Sequence, residues 1–96
     1  MTKGYIIAQA AVADAARYEA YKKLAQLAVE KYGGRYVVRG GATHLLEGDW
    51  HPPRLVILEF DSVAQARRFY DSPEYQAARS ARAGAASMRM LLVEGL

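Results

Sequence analysis

The sequence predicts a single α+β domain, residues 1–96, in which an antiparallel sheet carries its helices on one face. The chain has 96 residues, which is enough for one hydrophobic core and too few for two. Strand-like and helix-like segments follow one another in the order strand, helix, strand, strand, helical region, strand. The last two strands are apolar on both faces, so the face without helices needs a second cover.

The N-terminal third predicts a strand followed by a long helix. Residues 4–9 are rich in β-branched and aromatic side chains and precede a run of small residues, which is typical of a strand. Asp14 is a good helix cap, and Gly33 with Gly34 should end the helix. Large residues recur between them at spacings of three and four, at Tyr18, Tyr21, Leu24, Ala28 and Tyr32.

The central third predicts two strands joined by a long connection. Residues 35–39 are β-prone and end at a glycine pair, and residues 43–46 are expected to add a short hairpin strand. The two prolines within residues 50–53 lack backbone donors, so this stretch should form a loop. Residues 55–60 have the strongest strand pattern in the chain.

The C-terminal third predicts two helix starts and a final strand. Ser62 and Gln65 have the spacing of a capping box, in which each side chain bonds to the other residue's backbone. Ser72 precedes a proline and a glutamate, which is typical of a helix N-terminus, and this helix should run to about residue 83. Residues 88–94 predict the last strand.

This order of elements is the βαββαβ pattern of the ferredoxin-like fold, in which an antiparallel sheet has its helices on one face. Side chains alternate between the two faces of a strand. In residues 55–60 and 88–94, odd and even positions both carry apolar side chains. Because the helices can cover only one face, we expect a second copy of the chain, related by a two-fold axis, to cover the other.

Composition narrows the classes of function. Cysteine is absent, which excludes disulfides, thiolate metal sites and a cysteine nucleophile, and which favours a reducing compartment. The net charge is only +3 and the arginines are scattered, so nucleic acid is not an expected partner. The N-terminus has neither a signal-peptide pattern nor a bilayer-length apolar run, so we expect a cytoplasmic protein without a membrane partner.

Six short motifs, spread over most of the chain, carry a resemblance to a known family. They are Lys3-Gly4-Tyr5, Tyr32-Gly-Gly-Arg35, Arg39-Gly-Gly41, Glu47-Gly-Asp-Trp50, Glu59-Phe60 and Ser72-Pro-Glu-Tyr75. Their combination resembles domain of unknown function family 1330 from residue 3 to residue 95. The resemblance implies membership of the dimeric α/β-barrel superfamily, in which two ferredoxin-like subunits pack sheet against sheet and often leave a cleft for a small ligand.

The resemblance implies no particular activity. Relatives at superfamily level include cofactor-free monooxygenases, muconolactone isomerase-like enzymes and dye-peroxidase-like haem proteins, and one fold can host many unrelated reactions. The residues themselves must therefore indicate any chemistry.

Glu59 and His44 are the candidate catalytic residues. By alternation Glu59 shares a face with Leu55 and Ile57, the face assigned to the dimer cleft. It is either a desolvated general base with a raised pKa or one half of a buried ion pair, with an arginine such as Arg39 or with the partner subunit. His44 and the second histidine, seven positions later, could transfer protons near neutral pH, but their spacing predicts no metal site, and no cofactor is expected.

Candidate ligand-binding residues lie at three places. Arg39 ends the second strand, where its planar guanidinium suits either a ligand carboxylate or a protein carboxylate, and the two glycines after it are expected to be structural. Trp50 could close a pocket or only cover the barrel's edge. Ser72, Tyr75 and Arg79 surround a helix N-terminus and could bind an anion, although capping, core packing and solvation explain them as well.

Two classes of function remain, because no catalytic triad, phosphate loop or dinucleotide fingerprint occurs in the sequence. The first is a cofactor-independent enzyme that uses Glu59 or a histidine for proton transfer, or performs oxygenase-like chemistry, on a small carboxylated or carbonyl-bearing metabolite held by Arg39. The second is a non-catalytic dimer that binds a ligand or has a structural role. A small-molecule cleft near the sheet face is the favoured hypothesis.

Overall fold

The computed structural model of the chain describes residues 2–96. It contains four antiparallel strands and three helices. The strands are β1 (Gly4–Val12), β2 (Arg35–Arg39), β3 (Leu55–Phe60) and β4 (Ala86–Glu94), and the helices are α1 (Ala15–Lys31), α2 (Val63–Asp71) and α3 (Pro73–Ala81). The sheet order is β2-β3-β1-β4, with every neighbouring pair antiparallel. The predicted ferredoxin-like α+β fold is confirmed, and its second helical region consists of α2 and α3.

Both predicted ends of α1 are confirmed. The Asp14 side chain accepts a hydrogen bond from the backbone N–H of Arg17 at 3.1 Å, which satisfies one of the free donors of the first turn. After the helix, Gly33 has φ = +75°, and a side chain there would also collide with the amide nitrogen of Gln65. Only glycine adopts this conformation without strain, so the helix ends here.

The capping box predicted at Ser62 and Gln65 is half correct. The Ser62 hydroxyl accepts a hydrogen bond from the Gln65 backbone at 3.1 Å, as expected of a cap. The Gln65 side chain, however, donates to the carbonyl oxygen of Tyr32 at 2.6 Å and thereby ties the start of α2 to the end of α1. This second bond joins segments 33 residues apart, and local spacing could not reveal it.

The short hairpin strand predicted at residues 43–46 is wrong. Residues 40–54 form an irregular connection, and residues 40–51 of it are exposed. A strand needs a neighbour with free backbone donors, and the segment that returns opposite residues 43–46 contains Pro52 and Pro53. Strand pairing resumes at Leu55, which lies opposite Gln9 of β1.

The two faces of the sheet differ as the alternation of side chains predicts. The face under the helices carries the core, in which the largest fully buried side chains are Tyr75, Phe60, Phe69 and Val29. On the open face, Leu91 is 58% exposed and Val93 is 43% exposed. The Cα trace measures 33 × 33 × 16 Å. Its shortest dimension, 16 Å, is the thickness of one sheet and one helix layer. One apolar face is thus left without cover in the subunit.

A β-bulge in β2 changes which residues share a face. Arg35 lies opposite Glu59 on β3, but the register shifts between Tyr36 and Val38, so that Arg39 lies opposite Val56. An extra residue in one strand reverses the side-chain alternation beyond it. Arg35 therefore belongs to the open face and Arg39 to the face under the helices.

Candidate functional site

A cavity lies between α1 and the helix-covered face of the sheet, beside Arg39. It has a volume of about 30 Å³, which is room for one or two water molecules. Four tyrosines and two methionines dominate its walls: Tyr18 and Tyr21 from α1, Tyr36 from β2, Tyr75 from α3, and Met88 and Met90 from β4.

The phenol groups of this cavity form a short internal chain. The hydroxyl oxygens of Tyr21 and Tyr75 are 2.8 Å apart, and the Tyr75 hydroxyl donates to the Met90 sulfur at 3.5 Å. Because Tyr75 uses its proton on Met90, Tyr21 is the donor to Tyr75. Burial raises the pKa of Tyr21 far above the ordinary 10.0, so this phenol is neutral at physiological pH.

Two arginines stand at the mouth of the cavity without an acidic partner. The Cζ of Arg39 lies 4.2 Å from the ring centroid of Tyr36, and the Cζ of Arg54 lies 5.9 Å from that of Tyr18. Among residues 2–96, no carboxylate lies within 4.0 Å of either guanidinium. The Nε of Arg54 is buried with no hydrogen-bond partner, which is costly for a charged donor. The mouth therefore offers cationic donors that the described residues leave unused.

Gly40 is what allows Arg54 to occupy this position. Gly40 has φ = +71°, and a Cβ there would collide with the Arg54 guanidinium. The expected structural role of the glycine pair is thus confirmed at Gly40, whereas at Gly41 a Cβ would meet nothing within 4 Å.

The chemistry available in the cavity is that of hydrogen-bond donation to an anion. Phenol and guanidinium groups donate, and no carboxylate or imidazole is among the described side chains that line the cavity. The site can therefore hold and stabilise negative charge, but its walls offer no base to accept a proton.

Glu59 lies on the open face, away from this cavity. Its carboxylate accepts hydrogen bonds from the Tyr5 hydroxyl at 2.8 Å and the Arg35 Nε at 2.6 Å, and the Lys3 Nζ is 3.9 Å away. The Tyr5 hydrogen bond, together with Arg35, holds the pKa of Glu59 below its ordinary value and outweighs desolvation. The raised pKa expected of a general base is wrong for this subunit. The alternative expectation, an ion pair with an arginine, is confirmed, but the partner is Arg35 and not Arg39, because the bulge puts Arg39 on the other face.

The connection between β2 and β3 carries the other candidates from the middle of the chain. His44 is exposed, and His51 is exposed with its Nε2 3.6 Å from an Asp49 oxygen. The Trp50 indole is 60% exposed and donates to Gln9 Oε1 at 3.0 Å, which places it over the open face. None of these side chains lines the tyrosine cavity. Within residues 2–96, no cluster of three His, Cys, Asp or Glu residues is arranged to hold a metal ion.

The three candidates around α3 do not form one anion site. The Ser72 hydroxyl is used in capping, since it accepts from the Tyr75 backbone at 3.1 Å and donates to the Phe69 carbonyl at 2.7 Å. Tyr75 is buried in the core with its hydroxyl in the cavity, bonded to Tyr21 rather than to backbone. Arg79 is exposed, with its Cζ 4.9 Å from the Tyr70 ring centroid.

The N-terminus of α3 already has an anion beside it. The Glu74 carboxylate lies in the first turn and accepts hydrogen bonds from Lys31 at 2.6 Å and Tyr32 at 2.8 Å. These bonds lower the pKa of Glu74 from 4.5 to about 2, so it stays ionised.

Sequence reasoning thus identified Arg39 and Tyr75 and missed the rest of the cavity. No local pattern distinguishes Arg54, and Tyr18 and Tyr21 contribute only to the helical spacing of α1. One signal was available, since 7 of the 96 residues are tyrosine and a core rich in phenols must satisfy their hydroxyl groups. The missed residues are Tyr18, Tyr21, Tyr36, Arg54, Met88 and Met90.

The sheet order and the helix layer define the chain as a member of the ferredoxin-like α+β class. More narrowly, it belongs to the family described as Domain of unknown function (DUF1330), whose model matches residues 3–96. No curated protein matches the sequence. Within residues 2–96, none of the helices has the length and apolar character needed to cross a membrane.

Solved structures share the fold over nearly the whole chain. A protein of unknown function from Rhodopseudomonas palustris is 25% identical, with a TM-score of 0.75 over 99% of this chain and 83% of that one. SnoaB, a cofactor-independent oxygenase from Streptomyces nogalater, is 17% identical, with a TM-score of 0.69 over 97% of this chain and 92% of that one. A dimeric ferredoxin-like protein of unknown function from Thermobifida fusca is 16% identical, with a TM-score of 0.59 over 97% of this chain and 91% of that one.

Proposed function

We propose that this protein is a homodimer in which each subunit binds a small aromatic anion in the tyrosine-lined cavity, which widens from its volume of about 30 Å³ to admit the ring. The observation that carries the proposal is the unpaired state of Arg39 and Arg54 at the cavity mouth, with the Nε of Arg54 buried and unbonded. A buried guanidinium donor without an acceptor is unfavourable, and a ligand oxygen would satisfy it.

The walls favour an aromatic ligand that carries a carboxylate or a carbonyl group. Tyrosine rings pack against other rings in tilted or edge-on arrangements, and Tyr18 and Tyr21 are already 5.2 Å apart in such a geometry. A planar oxygen pair on the ligand matches the fork of a guanidinium. This class of ligand is a narrower form of the carboxylated or carbonyl-bearing metabolite predicted from the sequence.

Oxygenase-like chemistry without a cofactor is the reaction type that this site would support. In such a reaction the substrate itself reduces O₂, and it does so most readily as a delocalised anion. Arg39 and Arg54 would lower the pKa of a bound phenol or enol by stabilising its anion. The shared fold with SnoaB, itself a cofactor-independent oxygenase, supports this reading at the level of architecture.

The dimer would form through the open face of the sheet. Its exposed apolar side chains include Leu91 and Val93, and the subunit has no second layer to cover them. The neighbour from Thermobifida fusca is described as dimeric, which supports the same arrangement here.

A non-catalytic binding protein is the second candidate, and a specific observation favours it. The described walls of the cavity contain no proton acceptor, and Glu59 is neutralised in an ion pair on the other face. A substrate that must lose a proton would therefore have to lose it to solvent. Oxygen consumption in the presence of each bound compound separates the two candidates, since only an oxygenase consumes O₂ faster than the compound alone.

The binding proposal is tested by calorimetric titration with benzoate and 4-hydroxybenzoate, alongside benzyl alcohol as the uncharged match. We expect the two anions to bind and benzyl alcohol to bind far more weakly. Arg54→Gln should weaken anion binding by about tenfold or more, because it removes a charged hydrogen bond. Arg68→Gln, at an exposed position on α2, is the matched control and should change nothing. Equal affinities for the anions and the alcohol, or equal effects of both substitutions, would contradict the proposal.

A further inference from the structure

A second space adjoins the tyrosine cavity on the side of β4. It is a groove of about 290 Å³ between α2 and β4, open to the surface. Its lining residues are Ile6, Arg67, Tyr70, Met90, Leu91 and Leu92. Among the described residues, Met90 is the one side chain that lines both this groove and the inner cavity.

The inner cavity is too small for an aromatic ligand as it stands. Its volume of about 30 Å³ compares with the roughly 150 Å³ of an apolar cavity that admits benzene. The groove, in contrast, approaches the size of pockets that bind small molecules. A ligand ring can enter only if a wall of the cavity moves.

Of the side chains that line the cavity, that of Met90 is the best suited to move. Methionine has three rotatable side-chain bonds and fits irregular spaces at little cost. The contact that holds its sulfur is the weak hydrogen bond from the Tyr75 hydroxyl, at 3.5 Å. Tyr70 of the groove and Tyr75 of the cavity are held more firmly, because their rings pack together with centroids 5.6 Å apart.

We infer that Met90 is a gate that joins the groove to the tyrosine cavity and thereby sets the size of the ligand. This inference rests on the binding function proposed above and narrows its ligand to fused two-ring aromatic anions. The anionic group would lie at Arg39 and Arg54, the first ring among the tyrosines in the space that Met90 vacates, and the second ring in the groove. Met90 acts here as a specificity-determining residue.

The test compares 2-naphthoate with benzoate by calorimetry in wild-type protein, Met90→Ala and Met88→Ala. Met88 is the matched control, since it lines the inner cavity from the same strand but not the groove. Met90→Ala should raise the affinity for both ligands, and that for 2-naphthoate by about tenfold or more beyond that for benzoate, because two rings need the opening into the groove and one ring does not. Met88→Ala should change the two affinities by similar factors.

A second measurement uses the unmodified sequence and so does not depend on how well a variant folds. The chain has three methionines, and their ¹³C-labelled methyl groups give separate NMR signals. The Met90 methyl should show contacts with the second ring of 2-naphthoate, and Met88 should respond to both ligands.

The outcomes separate the gate from the site. If both ligands bind but Met90→Ala leaves their ratio unchanged, or 2-naphthoate binds without contact to the Met90 methyl, the gate is overturned and the binding site stands. If neither ligand binds to wild-type protein, the site is overturned and the gate with it.

Discussion

At the scale of single residues, Glu59 and Arg39 show how one register shift redistributes chemistry. The sequence suggests a functional role for both side chains: Glu59 as a general base and Arg39 as the group that binds a ligand carboxylate. The bulge in β2 separates them, so that Glu59 bonds to Arg35 and Tyr5 while Arg39 stacks on Tyr36. The Glu59 carboxylate therefore stabilises the sheet, and the Arg39 guanidinium lies at the cavity without a carboxylate partner among the described residues.

Glu59→Gln should lower the resistance to urea at pH 7 and leave ligand affinity unchanged. The pKa of Glu59 in the folded state is below its ordinary value of 4.5, so the carboxylate stabilises the fold above that value. This contribution is lost as the pH falls through the lower, folded-state pKa. The difference in urea midpoint between wild type and variant should therefore be present at pH 7 and shrink in acid.

Glu47→Gln, in the exposed connection between β2 and β3, is the control and should leave the midpoint unchanged at both pH values. A Glu59→Gln variant of full stability that fails to bind aromatic anions would restore Glu59 to the site and contradict its structural assignment.

At the scale of elements, the corner between α2 and α3 depends on a single hydroxyl. Ser72 ends one helix and caps the next, and it is buried with both of its hydrogen-bonding roles filled from backbone. The same corner places Tyr75 in the first turn of α3, from which its hydroxyl enters the cavity. The cap thus stabilises the corner and also positions Tyr75, whose hydroxyl donates to the Met90 sulfur.

Ser72→Ala should reduce the free energy of unfolding by about 1–2 kcal/mol, the usual cost of a lost cap. In a domain of this size that corresponds to a fall in Tm of several degrees, roughly 4–8 °C per kcal/mol. Thermal unfolding followed by circular dichroism measures it. Ser80→Ala, at an exposed position of α3, is the control. An equal fall in Tm for both variants would show that the Ser72 cap does not stabilise the fold.

The elements also show where local patterns succeed. Strand β3, the capped start of α1 and the Ser72-Pro73 helix start were predicted, because each depends on residues within one or two turns of each other. The predicted strand at residues 43–46 failed because a strand requires a distant partner, and the prolines before β3 remove that partner's donors. The bond from Gln65 to Tyr32 was missed for the same reason.

At the scale of the whole molecule, the proposed dimer accounts for the uncovered face of the sheet. Val93→Lys should weaken self-association by about a hundredfold or more, since the two-fold axis brings two like charges into one apolar interface. Leu27→Lys is the matched control, because Leu27 is 63% exposed on α1, in the helix layer. Sedimentation velocity over a range of concentrations measures both variants.

The single tryptophan supplies a second readout of the same prediction. Trp50 is bonded to Gln9 over the open face, so dissociation should expose its indole and shift its emission to longer wavelength. A wild-type protein that sediments as a monomer at every concentration, or a Val93→Lys protein that associates normally, would leave the open face without its proposed cover.

Periodicity and capping act over a few neighbouring residues, so the order of the elements, the helix starts and the two-sided apolar character of the sheet could be predicted from the sequence. It also pointed to Arg39 and Tyr75 as residues with more than one possible role. Three facts required the folded structure: Arg39 lies beside Arg54 and four tyrosines, Glu59 pairs with Arg35, and Met90 lines two neighbouring spaces. Those facts follow from a bulge and from packing between segments far apart in the chain, and no local pattern encodes either one.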